Sequence, residues 1–98
     1  MARFDDYRLS GQGEARFVLD VQADLLEALG TRVVVPLLPK ESAPKSAQGL
    51  NPVFVADGRS RVMVTQFMAS APDRELKVHV SSLAVHQDAI TQAIDLQL

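Results

Sequence analysis

Residues 17–38 read FVLDVQADLLEALGTRVVVPLL, two strand-like runs separated by a short insert. In the first run Phe17, Leu19 and Val21 alternate with Arg16, Asp20 and Gln22, which predicts a strand with one face buried and one face wet. After the insert, Val33, Val34 and Val35 form an unbroken β-branched run, the pattern of a central strand covered on both faces. The segment from Ala23 to Gly30 is too short for a self-supporting helix, and Gly30 offers the positive φ by which the chain turns back. The expected result is a hairpin-like excursion carrying Leu25 and Leu26 between Asp24 and Glu27.

Outward from this stretch, 98 residues are most simply a single domain, 1–98, with room for one core and none for a deep two-domain cleft. Apolar residues make up 47% and aromatics 5%, so the core is expected to rest on Val, Leu, Ile and Ala, with four Phe as anchors. A formal net charge of -2 argues against a general polyanion binder, and direct nucleic-acid binding is disfavoured. There is no cysteine, hence no disulfide framework and no thiolate chemistry. No run approaches eighteen consecutive apolar residues, and Asp5 and Asp6 stand where a signal peptide needs basic and then apolar residues. The expectation is a soluble cytoplasmic protein with no membrane contact.

The remaining elements follow from local signals. A first short strand is predicted over Arg3 to Arg8, with Ser10-Gly11-Gln12-Gly13 turning the chain back to pair it with the strand that starts at Arg16. Residues 39–52 hold three prolines, two lysines and Gly49, the composition of an exposed loop. Val53 to Ala56, then Asp57-Gly58, then Arg59 to Phe67 predicts a type I′ hairpin, since both turn positions must accept positive φ. Glu75 to Ser81 reads as a further one-sided strand with Leu76, Val78 and Val80 inward. Ala89, Ile90, Ala93, Ile94 and Gln97 recur at spacings of three and four, which predicts a C-terminal helix from about Leu83 to Gln97 with that stripe on the sheet. The fold class is therefore mainly β (α+β): a small, mostly antiparallel β domain capped by one C-terminal α-helix.

No catalytic constellation emerges. His79 and His86 come without the spacing that gathers a metal, so no metal site and no cofactor is expected, and both are read as solvated surface histidines. The serines include no G-x-S-x-G elbow, and the glycines form no phosphate-cradling cluster. Asp20, Asp24 and Glu27 are read as solvated charges, and Met63, Phe67 and Met68 as core filling. Leu25 and Leu26 leave two readings open: they pack within their own loop, or one of them forms an exposed apolar spot for a partner.

Several pieces, in order, carry a family resemblance: Phe17-Val18-Leu19-Asp20-Val21-Gln22 followed by Asp24 and two aliphatics, Gly30, Arg32, and Val35-Pro36-Leu37. Asn51-Pro52-Val53, Met63-Val64-Thr65, Met68-Ala69-Ser70 with Pro72, and Ala93-Ile94-Asp95-Leu96 complete the set. Across nearly its whole length the chain resembles the CcdB family of toxins from toxin-antitoxin systems. The resemblance implies an SH3-like antiparallel β-barrel with a long C-terminal helix. It also implies a non-enzymatic homodimer that binds the dimeric A subunit of DNA gyrase, a topoisomerase II, and traps its cleavage complex, and that a CcdA-like antitoxin neutralises. The gyrase-binding residues it implies are Leu25, Leu26, Asp95 and Leu98.

Two departures temper that expectation. Family toxins continue past the helix with a Trp-Gly-Ile ending, whereas the last residue here is Leu98, at the place of the family's terminal Phe; Asp95 stands where the family has Asn. A tryptophan anchor commonly contributes about 2 kcal/mol or more to an interface, so weakened or lost poisoning is one expectation. The competing readings are a non-toxic homologue that keeps dimer and antitoxin binding, and a ribonuclease toxin built on the same type of barrel. For the latter the sequence supplies no basic groove and no acid-base set.

Overall fold

The computed structural model describes residues 3–9, 16–22, 30–40, 51–56 and 58–97. Among these residues seven strands and one helix follow in chain order: β1 (Asp5–Leu9), β2 (Arg16–Asp20), β3 (Thr31–Pro39), β4 (Val53–Ala56), β5 (Arg59–Met63), β6 (Ala69–Pro72), β7 (Val78–Ser82) and α1 (Gln87–Gln97). Short 3-10 turns at Thr65–Phe67, Asp73–Glu75 and Ala84–His86 join the later elements. All pairings are antiparallel, in the order β4-β5-β3-β2-β1-β7, with β6 added to β3 off this path. The architecture is a mainly antiparallel β half-barrel with one C-terminal helix.

The nine-residue β3 organises the sheet. One of its edges pairs β2, from Phe17↔Leu37 to Asp20↔Val34. Its other edge is shared, with β5 taking Leu37 to Pro39 and β6 taking Thr31 to Val34. Between these two partners the chain must step along the edge of β3, and the Thr65–Phe67 turn makes that step. Val64 N–H still donates to Pro36 O at 3.0 Å before the turn begins. Strand β5 thus ends at Met63 instead of running on to Phe67, and Phe67 is 53% exposed, which corrects its expected place in the core. Met63 is fully buried and Met68 packs against the same cluster, as core filling requires.

Alternation along β2 and β3 sends side chains to two apolar clusters on opposite faces. The larger holds Phe17, Leu19, Val21, Val35, Leu37, Phe54 and Met63, closed by Leu83, Ile90 and Ala93 at the helical end. The smaller holds Tyr7, Val18, Val34, Ala71 and Leu76. Strand β2 is consequently covered on both faces, against the expectation of one wet face. Leu76, expected to share a strand face with Val80, precedes β7 and joins the smaller cluster, while Val80 packs on the larger and Val78 is 40% exposed. A register shift between β1 and β7 at Asp6/Tyr7 accompanies this rearrangement.

Local signals account for the rest. Ala56↔Arg59 closes the β4–β5 hairpin over a two-residue loop, and Gly58 has φ +74°. Gly30 has φ +76°, the conformation its place before β3 demanded. Strand β1 pairs β2 as expected, although it spans Asp5–Leu9. Before it, Phe4 adopts φ +74°, a costly conformation for a bulky residue. Its N–H donates to Asp20 O at 2.7 Å and its carbonyl accepts from Leu83 N–H at 2.8 Å, two bonds that hold it there. Helix α1 starts at Gln87, later than the periodicity suggested. Its buried stripe is Ile90 and Ala93 with Ile94 partly buried, while Ala89 is exposed. Among the described residues no helix is long and apolar enough to cross a membrane.

Candidate partner-binding site

Buried polar groups join the end of β2 to the start of β3. Arg32 Nε and Nη2 both donate to Asp20 Oδ2, at 2.8 and 2.7 Å, and neither side chain has solvent exposure. The other carboxylate oxygen, Oδ1, accepts the Gln22 backbone N–H at 3.0 Å. Gln22 Oε1 in turn accepts the Val33 N–H at 3.1 Å, and Val21 N–H donates to Val33 O at 3.0 Å. The end of β2 and the start of β3 are thereby tied by backbone, side-chain and ionic contacts at once. Asp20 is a structural ion-pair partner in the protein interior, which overturns its reading as a solvated charge. Its position in the alternation was right; the second face is simply covered.

Of the residues that sequence resemblance pointed to, Leu25, Leu26 and Leu98 lie outside the described residues, as do Asp24 and Glu27. Asp95 lies in α1 and is exposed. Next to it Leu96 is 59% exposed, a feature that sequence reasoning passed over. Its signal was present: Leu96 falls off the Ile90, Ala93, Ile94 stripe and so cannot face the sheet. Helix α1 packs against the Thr65–Phe67 turn, the element that carries the exposed Phe67. The helix has acidic residues at Asp88 and Asp95 and no basic residue in its last turn, where the dipole is already negative.

Among the described residues two further polar contacts hold the fold together. Ser81 Oγ donates to Asp6 Oδ1 at 2.6 Å, joining β7 to the fully buried Asp6 of β1. Asn51 Nδ2 donates to Met63 O at 3.1 Å and to Gln66 Oε1 at 2.7 Å, which anchors the chain as it enters β4. Both histidines are exposed, as expected: His79 Nε2 lies 3.4 Å from Asp5 Oδ2, and His86 stacks on Phe54 with centroids 4.7 Å apart. Among the described residues no group of three or more His, Cys, Asp or Glu could hold a metal ion.

The sequence model of the family described as CcdB protein matches residues 3–98. Among solved structures, the chain is similar to an endoribonuclease in complex with its cognate antitoxin from a mycobacterial species. The two are 14% identical, the match covers 98% of this chain and 92% of that chain, and the TM-score is 0.77. At that identity the likeness speaks for the fold alone.

Proposed function

The chain belongs to the CcdB family, and from that premise we propose that it is the toxin of a type II toxin-antitoxin pair, a non-enzymatic inhibitor of DNA gyrase. In this reading residues 1–98 act as a single domain in a cytoplasmic homodimer, without cofactor. Leu25, Leu26, Asp95 and Leu98 meet the A subunit of DNA gyrase and trap its cleavage complex. A CcdA-like antitoxin neutralises the protein by ordering its own chain on the toxin surface. The antitoxin complex of the endoribonuclease with the same fold supports that partner class.

The observation that carries the reading is the family match over residues 3–98. The geometry supports it from the side of physics: the fully buried Asp20–Arg32 pair ties the end of β2 to the start of β3, the strands that flank Leu25 and Leu26 in sequence. A pre-ordered base lowers the entropy lost when an apolar loop docks. Leu96, exposed beside Asp95, adds apolar area to the helical part of the proposed contact.

One observation favours the competing reading of a homologue that no longer poisons: Asp95 puts a negative charge at a helix end already negative. Induced expression in a gyrase-sensitive bacterium separates the two. Gyrase-linked DNA breaks that disappear in Leu25→Glu and Leu26→Glu variants support the toxin; normal growth at confirmed high expression overturns it. Specific RNA cleavage by purified protein, unaffected by those two substitutions, would instead favour a ribonuclease.

A further inference from the structure

Among the described residues Phe4 is the one non-glycine residue with positive φ, at +74°. A bulky residue holds this conformation only where its surroundings impose it, and such strain gathers at functional positions. Here two main-chain bonds impose it, from Phe4 N–H to Asp20 O and from Leu83 N–H to Phe4 O. Glycine would accept this φ freely, but the buried Phe4 ring also joins the apolar cluster that holds Leu83, Ile90 and Ala93. The Arg3 guanidinium lies over that ring, 4.7 Å from its centroid, and Arg3 Nε donates to Val21 O at 3.3 Å. Two successive residues thus grip the end of β2.

The two residues that Phe4 joins sit at different roots. Asp20 is the last residue of β2, and its carboxylate holds Arg32 of β3. Leu83 leads into the Ala84–His86 turn, and its own carbonyl accepts from His86 N–H at 2.9 Å directly before α1. A side-chain bond between the same two segments, Ser81 Oγ to Asp6 Oδ1 at 2.6 Å, repeats the tie. Arg32, Asp20, Phe4 and Leu83 are therefore bonded in series, a contiguous route from the start of β3 to the root of the helix. We infer that Phe4 is a positioning residue, whose strained main chain fixes the root of α1 against the end of β2. Its importance for gyrase rests on the function proposed above, in which the contact combines Leu25 and Leu26, which follow β2 in sequence, with Asp95 in α1 and Leu98 just beyond it. Two separate parts of one contact dock with less loss of freedom when their relative position is already set.

The test uses the full chain made by chemical synthesis with one backbone amide replaced by an ester, which deletes an N–H and keeps every side chain. An ester at Phe4 removes its bond to Asp20 O, and one at Leu83 removes its bond to Phe4 O. An ester at Met63, whose N–H donates to Pro52 O, is the control on the β4 and β5 side of the sheet. Spin labels on Thr31→Cys and Gln92→Cys, both exposed positions in a chain without cysteine, report the distance from β3 to α1. The proposal expects the Phe4 and Leu83 esters to shift or broaden that distance and to weaken binding to purified gyrase A subunit about tenfold or more. The Met63 ester should do neither, at a temperature where circular dichroism finds all four proteins folded. An unchanged distance in the Phe4 and Leu83 esters overturns the proposal, and so does an equal change in the Met63 ester, which is general loosening. A changed distance with unaltered gyrase affinity removes Phe4 from the contact's machinery. A parent chain that does not bind gyrase overturns the proposed function instead, and the label distance still decides whether Phe4 holds α1.

Discussion

The Arg32 guanidinium and the Asp20 carboxylate meet at 2.7 Å with no solvent on either side chain, and both guanidinium donors converge on one oxygen. The other oxygen is left for the Gln22 N–H, so the pair completes a backbone connection as well as a charge balance. Such a pair is favourable only while both partners remain. Removing one strands a buried charge at a cost of about 3–5 kcal/mol, whereas apolar replacement of both is close to neutral.

Asp20→Leu and Arg32→Met should each lower stability by about 3–5 kcal/mol, and the double variant should lose less than either. Urea unfolding of the four proteins measures the coupling. Additive losses would show that the two charges are independent.

Gly58 at φ +74° has nothing within 4 Å of an added Cβ, so only backbone strain opposes a side chain there. Gly58→Ala should therefore cost about 1–2 kcal/mol, and Gly58→Asn less, because Asn tolerates the left-handed region. Thermal unfolding would expose the difference; equal stability of all three proteins would contradict the hairpin geometry.

Helix α1 is held by a narrow stripe. Ile90→Ala should lower stability by about 2–5 kcal/mol by opening a cavity under the helix. Leu96→Ala, at an exposed position, should stay within about 0.5 kcal/mol of the parent. A large loss of stability on the second change would mean that Leu96 is covered in solution.

If Asp95 faces gyrase, Asp95→Asn should strengthen docking by about 0.2–1 kcal/mol, the scale of an exposed charge. The gain should appear in the association rate and shrink with added salt. Stopped-flow binding to purified gyrase at two ionic strengths checks this, and an unchanged rate at low salt removes Asp95 from the contact.

Much of the fold was legible in local pattern. The run Val33-Val34-Val35 announced a strand covered on both faces, Asp57-Gly58 announced a two-residue hairpin loop, and Ile90, Ala93 and Ile94 marked the helix face. These signals are legible because each rests on a backbone period or a φ requirement that neighbouring residues impose. The candidate site was less so. The break in the strand pattern drew out Leu25 and Leu26 with two readings left open, resemblance alone added Asp95 and Leu98, and exposed Leu96 was readable from the helix pattern and went unread.

Tertiary structure decided what alternation leaves open, namely whether the second face of a strand meets water or protein. Asp20 and Gln22 occupied polar positions that a wet face would suit equally well. They are buried because Ala71 and Leu76, far along the chain, help build a second apolar cluster over β2 and β3. Likewise Phe67 had the spacing of a core residue, yet the step from β5 to β6 along the edge of β3 turned it outward. A sequence states which side chains share a face; only the packed chain determines what lies across from it.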